Sequence, residues 1–147
     1  MQIRSAETAG FCFGVERAVS LAEQTAKSCA SAVTLGPIIH NRHVVERFEA
    51  MGLREIARAE DAQPGQTVVI RAHGIPVSEQ QTLAARGAKF VDATCPFVKK
   101  IHVIARQAEE AGRHLLIIGT PTHPEVTAIA SYSFDAHVFQ TAEALES

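Results

Sequence analysis

One junction recurs along this chain: a short apolar or β-branched run stops, a cysteine or histidine follows, and an amphipathic helical pattern begins. The clearest instance is Phe90 to His102, where a short strand (Lys89 to Val91) breaks at Asp92 and Cys95 stands directly before Pro96. Similar runs occur at Val33 to Leu35, Thr67 to Ile70, Leu115 to Ile118 and Ala136 to Phe139, with a short edge strand at Leu53 to Ile56 and a weak candidate at Gln2 to Ala6. Thr67 to Ile70 is apolar without alternation, as in a strand covered on both faces of a parallel sheet. Strands alternating with helices of about 8 to 16 residues predict parallel βαβ units and an α/β fold.

The helices are legible from their faces. After Gly14, residues Val15, Ala18, Val19, Ala22 and Ala26 fall on one side, with Glu16, Arg17, Glu23, Gln24 and Lys27 turned to water. Asn41 is suited to cap a helix whose inner face is Val44, Val45, Phe48 and Met51, ended by Gly52. A third helix opens at Ser78 and closes at Gly87. Pro96 fits the first position of a fourth, where its missing N–H is not needed. That helix carries Phe97, Val98, Ile101, Ile104, Ala105 and Ala108 on one face and ends at Gly112. Thr120 to Glu125 leads into a fifth, and Thr141 to Ser147 begins a last one.

Bulk properties exclude several function classes. Net charge is −2 and the 14 lysines and arginines are dispersed, so there is no electrostatic case for nucleic acid or an anionic membrane. No apolar run approaches the ~18 residues of a membrane span and the N-terminus has no signal-peptide core, which reads as a soluble cytoplasmic protein. Three widely spaced cysteines do not make a disulfide framework. Neither a Gly-rich dinucleotide fingerprint nor a P-loop is present.

Cys12, His40, His73, Cys95 and His123 each fall just past the C-terminal end of an expected strand, the edge where open α/β sheets bind ligands. Helix N-termini favour thiolate over thiol, the form that binds metals, and offer N–H groups to phosphate. Two thiolates among several imidazoles therefore predict a metal centre beside an anion pocket. Gly14, Gly36, Gly74 and Gly119 are read as admitting a ligand close to the backbone. Glu125 follows His123 at a helix start, where it either favours the helix dipole or delivers protons. Cys29, about four helical turns from Cys12, is read as packing at the far side, and His43, His102, His114 and His137 as structural or solvent-facing. Two further readings stay open: a zinc protein using Cys12, Cys95 and two of the three cleft histidines, and a non-enzymatic diphosphate-binding module.

At these positions the sequence resembles the 4-hydroxy-3-methylbut-2-enyl diphosphate reductase (IspH/LytB) family. The resemblance lies in Ala9-Gly10-Phe11-Cys12-Phe13-Gly14-Val15 with Arg17-Ala18, Gly36-Pro37-Ile38-Ile39-His40-Asn41, Ile70-Arg71-Ala72-His73-Gly74, Asp92-Ala93-Thr94-Cys95-Pro96 and His123-Pro124-Glu125-Val126. It runs from Met1 almost to the end of the chain and covers about the first half of the family's usual length. It implies a four-iron four-sulfur cluster held by three cysteines, with Cys12 and Cys95 matching two of them and the third lying in the family's C-terminal part. It further implies that His40, His73 and His123 hold the substrate diphosphate and that Glu125 supplies protons. The implied reaction is reductive loss of the allylic hydroxyl, giving isopentenyl and dimethylallyl diphosphate in the non-mevalonate route. Electrons would come from a ferredoxin- or flavodoxin-type donor. In fold, the resemblance implies a complete first lobe over residues 1–94, a nearly complete second over 95–147, and a third outside this chain. Self-association or a C-terminal portion would then complete the cluster. Thr122 stands where the family carries Gly, and Thr127-Ala128 where it carries Glu-Gly.

Overall fold

The chain's architecture, described from a computed structural model over residues 2–146, rests on short parallel strands, of which the two central ones, Ala32–Leu35 and Thr67–Ile70, are almost wholly buried. Met1, where the resemblance begins, and Ser147, where the last expected helix ends, lie outside the described residues. In order, the elements are α1 (Phe13–Ser28), β1 (Ala32–Leu35), α2 (Arg42–Ala50), β2 (Arg54–Ile56), β3 (Thr67–Ile70), α3 (Val77–Ala85), β4 (Lys89–Asp92), α4 (Pro96–Glu110), β5 (Leu115–Ile118), α5 (Pro124–Ala130), β6 (Ala136–Phe139) and α6 (Ala142–Glu146), with one 3-10 turn at Ala59–Asp61. The first four strands form a parallel sheet in the order β2-β1-β3-β4, and β5 pairs with β6 in a second parallel sheet.

Side-chain alternation divides the core of the first sheet. Ala32 and Val69 point to one face, where they meet Ala18, Val19 and Ala22 of α1 and Phe48 of α2. Val33, Leu35, Val68 and Ile70 point to the other, against Ile75 and Leu83. Both faces of β1 and β3 are therefore covered, which is why these strands read as unbroken apolar runs. The polar cap expected at Asn41 is present, its Oδ1 accepting from Val44 N–H at 3.2 Å.

Several expectations need correction. Gln2 to Ala6 forms no strand: residues 2–10 are exposed and no neighbouring strand supplies hydrogen bonds. α3 begins at Val77 after Pro76 rather than at Ser78, and β4 extends through Asp92. The largest difference is the face of α4. Val98, His102 and Ala105 are its buried side, whereas Phe97, Ile101 and Ile104 are exposed. His102 takes the structural side of its expectation rather than the solvent-facing one: it is 7% exposed and stacks on Tyr132 with ring centroids 4.6 Å apart. The apolar stripe misled because α4 has two apolar faces, and only one meets α5.

The two sheets are tied through α3 and the end of α5. Val77 N–H donates to Ser131 Oγ at 3.0 Å, and Gln80 Nε2 donates to Tyr132 Oη at 2.9 Å. Among the described residues no helix is long and apolar enough to cross a membrane.

Candidate functional site

The turns that follow β1, β3 and β4 continue to hydrogen-bond beyond the strands. Ala72 N–H donates to Ile38 O at 3.2 Å, Ala93 N–H to Ile70 O at 3.1 Å, and Cys95 N–H to Ala72 O at 2.9 Å. The turns carrying His40, His73 and Cys95 are thereby stitched side by side along the C-terminal rim of the sheet. Two glycines with positive φ shape this rim. Gly36 (φ +68°) lies against the Arg71 guanidinium, and Gly74 (φ +78°) lies against the His102 ring. Arg71 Nε donates to Gly74 O at 3.2 Å, so one arginine holds the His73 turn closed and packs on the His40 turn.

Three imidazoles meet on this rim. The rings of His40 and His73 lie 4.7 Å apart, and those of His73 and His123 lie 5.8 Å apart, nearly perpendicular. His123 reaches them from the turn after β5, in the second sheet. Its Nδ1 accepts from Glu125 N–H at 3.2 Å, which leaves Nε2 as the protonated, donating nitrogen of the neutral ring. His73, in the middle, is half-buried and its Nδ1 is buried without a partner. Burial, reinforced by His40, Arg71 and His123, lowers its pKa to about 4, so at neutral pH it is an uncharged donor and acceptor. Glu125 sits half-buried in the first turn of α5, two residues from His123.

The cysteines occupy equivalent positions. Cys12 is the N-cap of α1 and Cys95 the N-cap of α4, neither side chain being used for capping, and both are free thiols. A Cβ on Gly14 would come 2.4 Å from Cys95 Sγ, so the Cys95 sulfur rests on the first turn of the helix that Cys12 opens. Arg17 Nη1 donates to Thr94 O at 3.2 Å and locks that contact. Asp92 fixes the other side of the turn, accepting from Thr94 N–H at 2.9 Å and pairing with Lys99 Nζ at 2.6 Å. Burial pushes the Asp92 carboxyl up, but the Lys99 and Thr94 hydrogen bonds outweigh it and hold the pKa below the usual range.

The sequence-based site residues thus divide into a histidine group (His40, His73, His123, with Glu125 beside it) and a cysteine pair (Cys12, Cys95), joined by the Ala72–Cys95 hydrogen bond. Four of the five reach the rim after a strand. Cys12 does not, because Gln2 to Ala6 is not one; α1 delivers it instead. Cys29 lies at the opposite edge, its Sγ 3.4 Å from Oγ1 of Thr67, the first residue of β3. The four glycines admit neighbouring side chains rather than a ligand: Cys95 at Gly14, Arg71 at Gly36, His102 at Gly74 and Val126 at Gly119. Sequence reasoning missed Arg17, read as solvent-facing, and the roles of Arg71 and His102. An arginine directly after the buried run Val68 to Ile70 was the one available signal.

The zinc reading loses its support here. Among the described residues, the one group of three metal-ligating side chains whose donor atoms lie within 4.8 Å of one another is His114, Asp135 and His137, not the rim.

The chain is similar to several known proteins. The 4-hydroxy-3-methylbut-2-enyl diphosphate reductase of Solidesulfovibrio magneticus is 44% identical over 153 residues, covering 99% of this chain and 54% of that protein. The one from Aquifex aeolicus is 44% identical over 128 residues, covering 86% of this chain and 44% of that protein. A solved (E)-4-hydroxy-3-methyl-but-2-enyl diphosphate reductase, described as the terminal enzyme of the non-mevalonate pathway, superposes with a TM-score of 0.81 at 41% identity, covering 97% of this chain and 53% of its own. The E-1-hydroxy-2-methyl-but-2-enyl-4-diphosphate reductase of Plasmodium falciparum superposes with a TM-score of 0.88 at 26% identity, covering 95% of this chain and 45% of its own. The chain spans about half the length of the curated relatives it matches. With the family model described as LytB protein matching residues 3–147, the chain belongs to the LytB family.

Proposed function

We propose that this chain forms the diphosphate-binding and partial cluster-binding portion of a 4-hydroxy-3-methylbut-2-enyl diphosphate reductase. The observation that carries the proposal is the rim itself: three imidazoles from two sheets in ring contact, next to a cysteine sulfur seated on the helix that a second cysteine opens. Cys12 and Cys95 would hold a four-iron four-sulfur cluster, with the third thiolate outside this chain. Their donor set fits such a group, being thiolates at two helix N-termini with no capping bond to break. When bound, the cluster supplies electrons and a Lewis-acidic iron.

The remaining chemistry falls to this chain's own side chains. His123 offers Nε2–H, and His73, uncharged and partly desolvated, offers a ring N–H, so diphosphate oxygens meet donors that the fold already orients. Arg71 supplies positive charge beside His73. Glu125, at the first turn of α5, delivers protons. Loss of an allylic hydroxyl as water with a new C–H bond takes two electrons and two protons. The electrons would come from a ferredoxin- or flavodoxin-type donor, in a cytoplasmic enzyme. Residues 1–94 and 95–147 would act as two lobes that close the substrate between them.

The test separates the two groups. The chain is reconstituted anaerobically with iron and sulfide, and inorganic diphosphate binding is measured by calorimetry. Cys12→Ser and Cys95→Ser are expected to abolish the visible cluster absorption while diphosphate still binds. His73→Ala and His123→Ala are both expected to weaken diphosphate binding, His73→Ala at least about tenfold because it removes a half-buried donor worth about 1.5–3 kcal/mol to a charged ligand. Diphosphate affinity unchanged in both histidine variants would overturn the proposal.

A further inference from the structure

At the opposite end of the second sheet, three side chains that play no part in the rim converge. His114 directly precedes β5 and Asp135 directly precedes β6. The register pairing Leu115 with Ala136 sets them across from each other, with Leu115 N–H donating to Asp135 O at 3.0 Å. His137, the second residue of β6, completes the group. Asp135 uses both carboxylate oxygens: Oδ1 lies 2.6 Å from His137 Nε2, and Oδ2 is in contact with His114 Nδ1. Four residues of β5, about 13 Å at ~3.3 Å each, separate this group from the turn that leads to His123.

The backbone under Asp135 is fixed independently. Glu109 at the end of α4 accepts from Ser133 Oγ at 2.7 Å and from Phe134 N–H at 2.9 Å, and Asp135 N–H donates to Ser133 Oγ at 3.3 Å. One carboxylate therefore clamps the turn that presents another, an outer layer of support of the kind that orients metal ligands. We propose that His114, Asp135 and His137 form a Zn2+ site that cross-links the N-terminal ends of β5 and β6.

The donor chemistry selects the cation class. Two imidazole nitrogens and one carboxylate oxygen suit Zn2+ and similar borderline divalent ions, and not Ca2+ or Mg2+, which take oxygen ligands. Tetrahedral Zn2+ with bonds of 2.0–2.1 Å needs donors about 3.4 Å apart. The three donors already lie within 4.8 Å of one another, and both rings are more than half exposed, free to swing inward. On binding, each neutral ring gives the metal the nitrogen that now faces Asp135 and carries its proton on the other ring nitrogen, with water in the fourth position. The ion then adds a bridge between two strands that backbone hydrogen bonds and α5 already join.

The experiment uses the Cys12→Ser/Cys95→Ser chain, so that rim thiolates do not compete, and titrates it with Zn2+ by calorimetry and by nitrogen NMR of the histidine rings. The expected result is one equivalent bound, ring shifts at His114 and His137, a raised melting temperature, and at least about tenfold weaker binding in His137→Ala and in Asp135→Asn. All three positions are at the surface, so these variants keep the fold. Zinc affinity unchanged by both substitutions, or ring shifts confined to His40, His73 and His123, would overturn the assignment.

Discussion

A methyl group added at Gly14 has nowhere to go except into the space of the Cys95 sulfur, 2.4 Å away. Alanine in place of glycine within a helix ordinarily stabilises by about 0.5–1 kcal/mol. Gly14→Ala is therefore expected to change folding stability by less than about 1 kcal/mol, since the clash offsets the helix gain. It should displace the one atom the site needs in place. Denaturant titration should show near-wild-type stability while iron retained per chain after anaerobic reconstitution falls severalfold. A variant that keeps its iron would show that the Cys95–Gly14 contact is ordinary packing. His73 gives a second residue-scale prediction. Its pKa falls from 6.5 to about 4 on folding, chiefly through burial. Between these values the unfolded chain binds the proton more readily than the folded one, so this contribution is intact above pH ~6.5 and is lost progressively as pH drops toward 4. Stability of wild type should fall over that window, and His73→Asn should flatten the slope. Equal wild-type unfolding free energies from urea titrations at pH 7 and pH 5 would contradict this.

At the scale of elements, all six strands and the helices were legible in the sequence, the face of α4 excepted, for a physical reason. β1 and β3 are covered on both sides, so their composition alone marks them. Gln2 to Ala6 failed because a strand also needs a partner, and pairing is not written in local composition. His40, His73, Cys95 and His123 were legible because each sits where a run of one period gives way to another. Arg17 was not, because its role depends on Thr94, 77 positions away, whose carbonyl it reaches across the sheet. The Asp92 turn offers a test of how firmly α4 is anchored. Asp92→Asn keeps an oxygen for Thr94 N–H but loses the charge facing Lys99, a partly exposed pair, so a loss of only about 0.5–1 kcal/mol is expected. Asp92→Ala removes both and should cost about 1 kcal/mol more. Chemical denaturation of the two variants measures the difference directly. Equal losses would mean that the Thr94 bond contributes nothing to holding the Cys95 turn.

For the molecule as a whole, the decisive quantity is apolar surface left facing water. Phe97 on α4 is 71% exposed and Ile118 on β5 is 67% exposed, accompanied by Ile101 and Ile104 on the helix and Leu116 on the strand. Single exposed apolar residues are ordinary, but a helix face at 97, 101 and 104 and a strand face at 116 and 118 repeat with the periods of buried surfaces. These are the residues that made the α4 pattern look core-facing, and the pattern is correct for a surface that something covers. Relatives that match this chain over about half their length carry as much polypeptide again. Such faces, unmatched, cost about 25 cal/mol for each Å2 kept in water, a gain available to any apolar partner, including a second copy. The chain alone is accordingly expected to self-associate as its concentration rises. A double substitution, Phe97→Glu with Ile118→Glu, should return it to a monomer in sedimentation velocity runs while the circular dichroism spectrum stays the same, because neither side chain supports the cores around β1 and β3. A monomer at every concentration before any substitution would show that these faces are tolerated by water, and that the rim must function without a covering surface on α4 and β5.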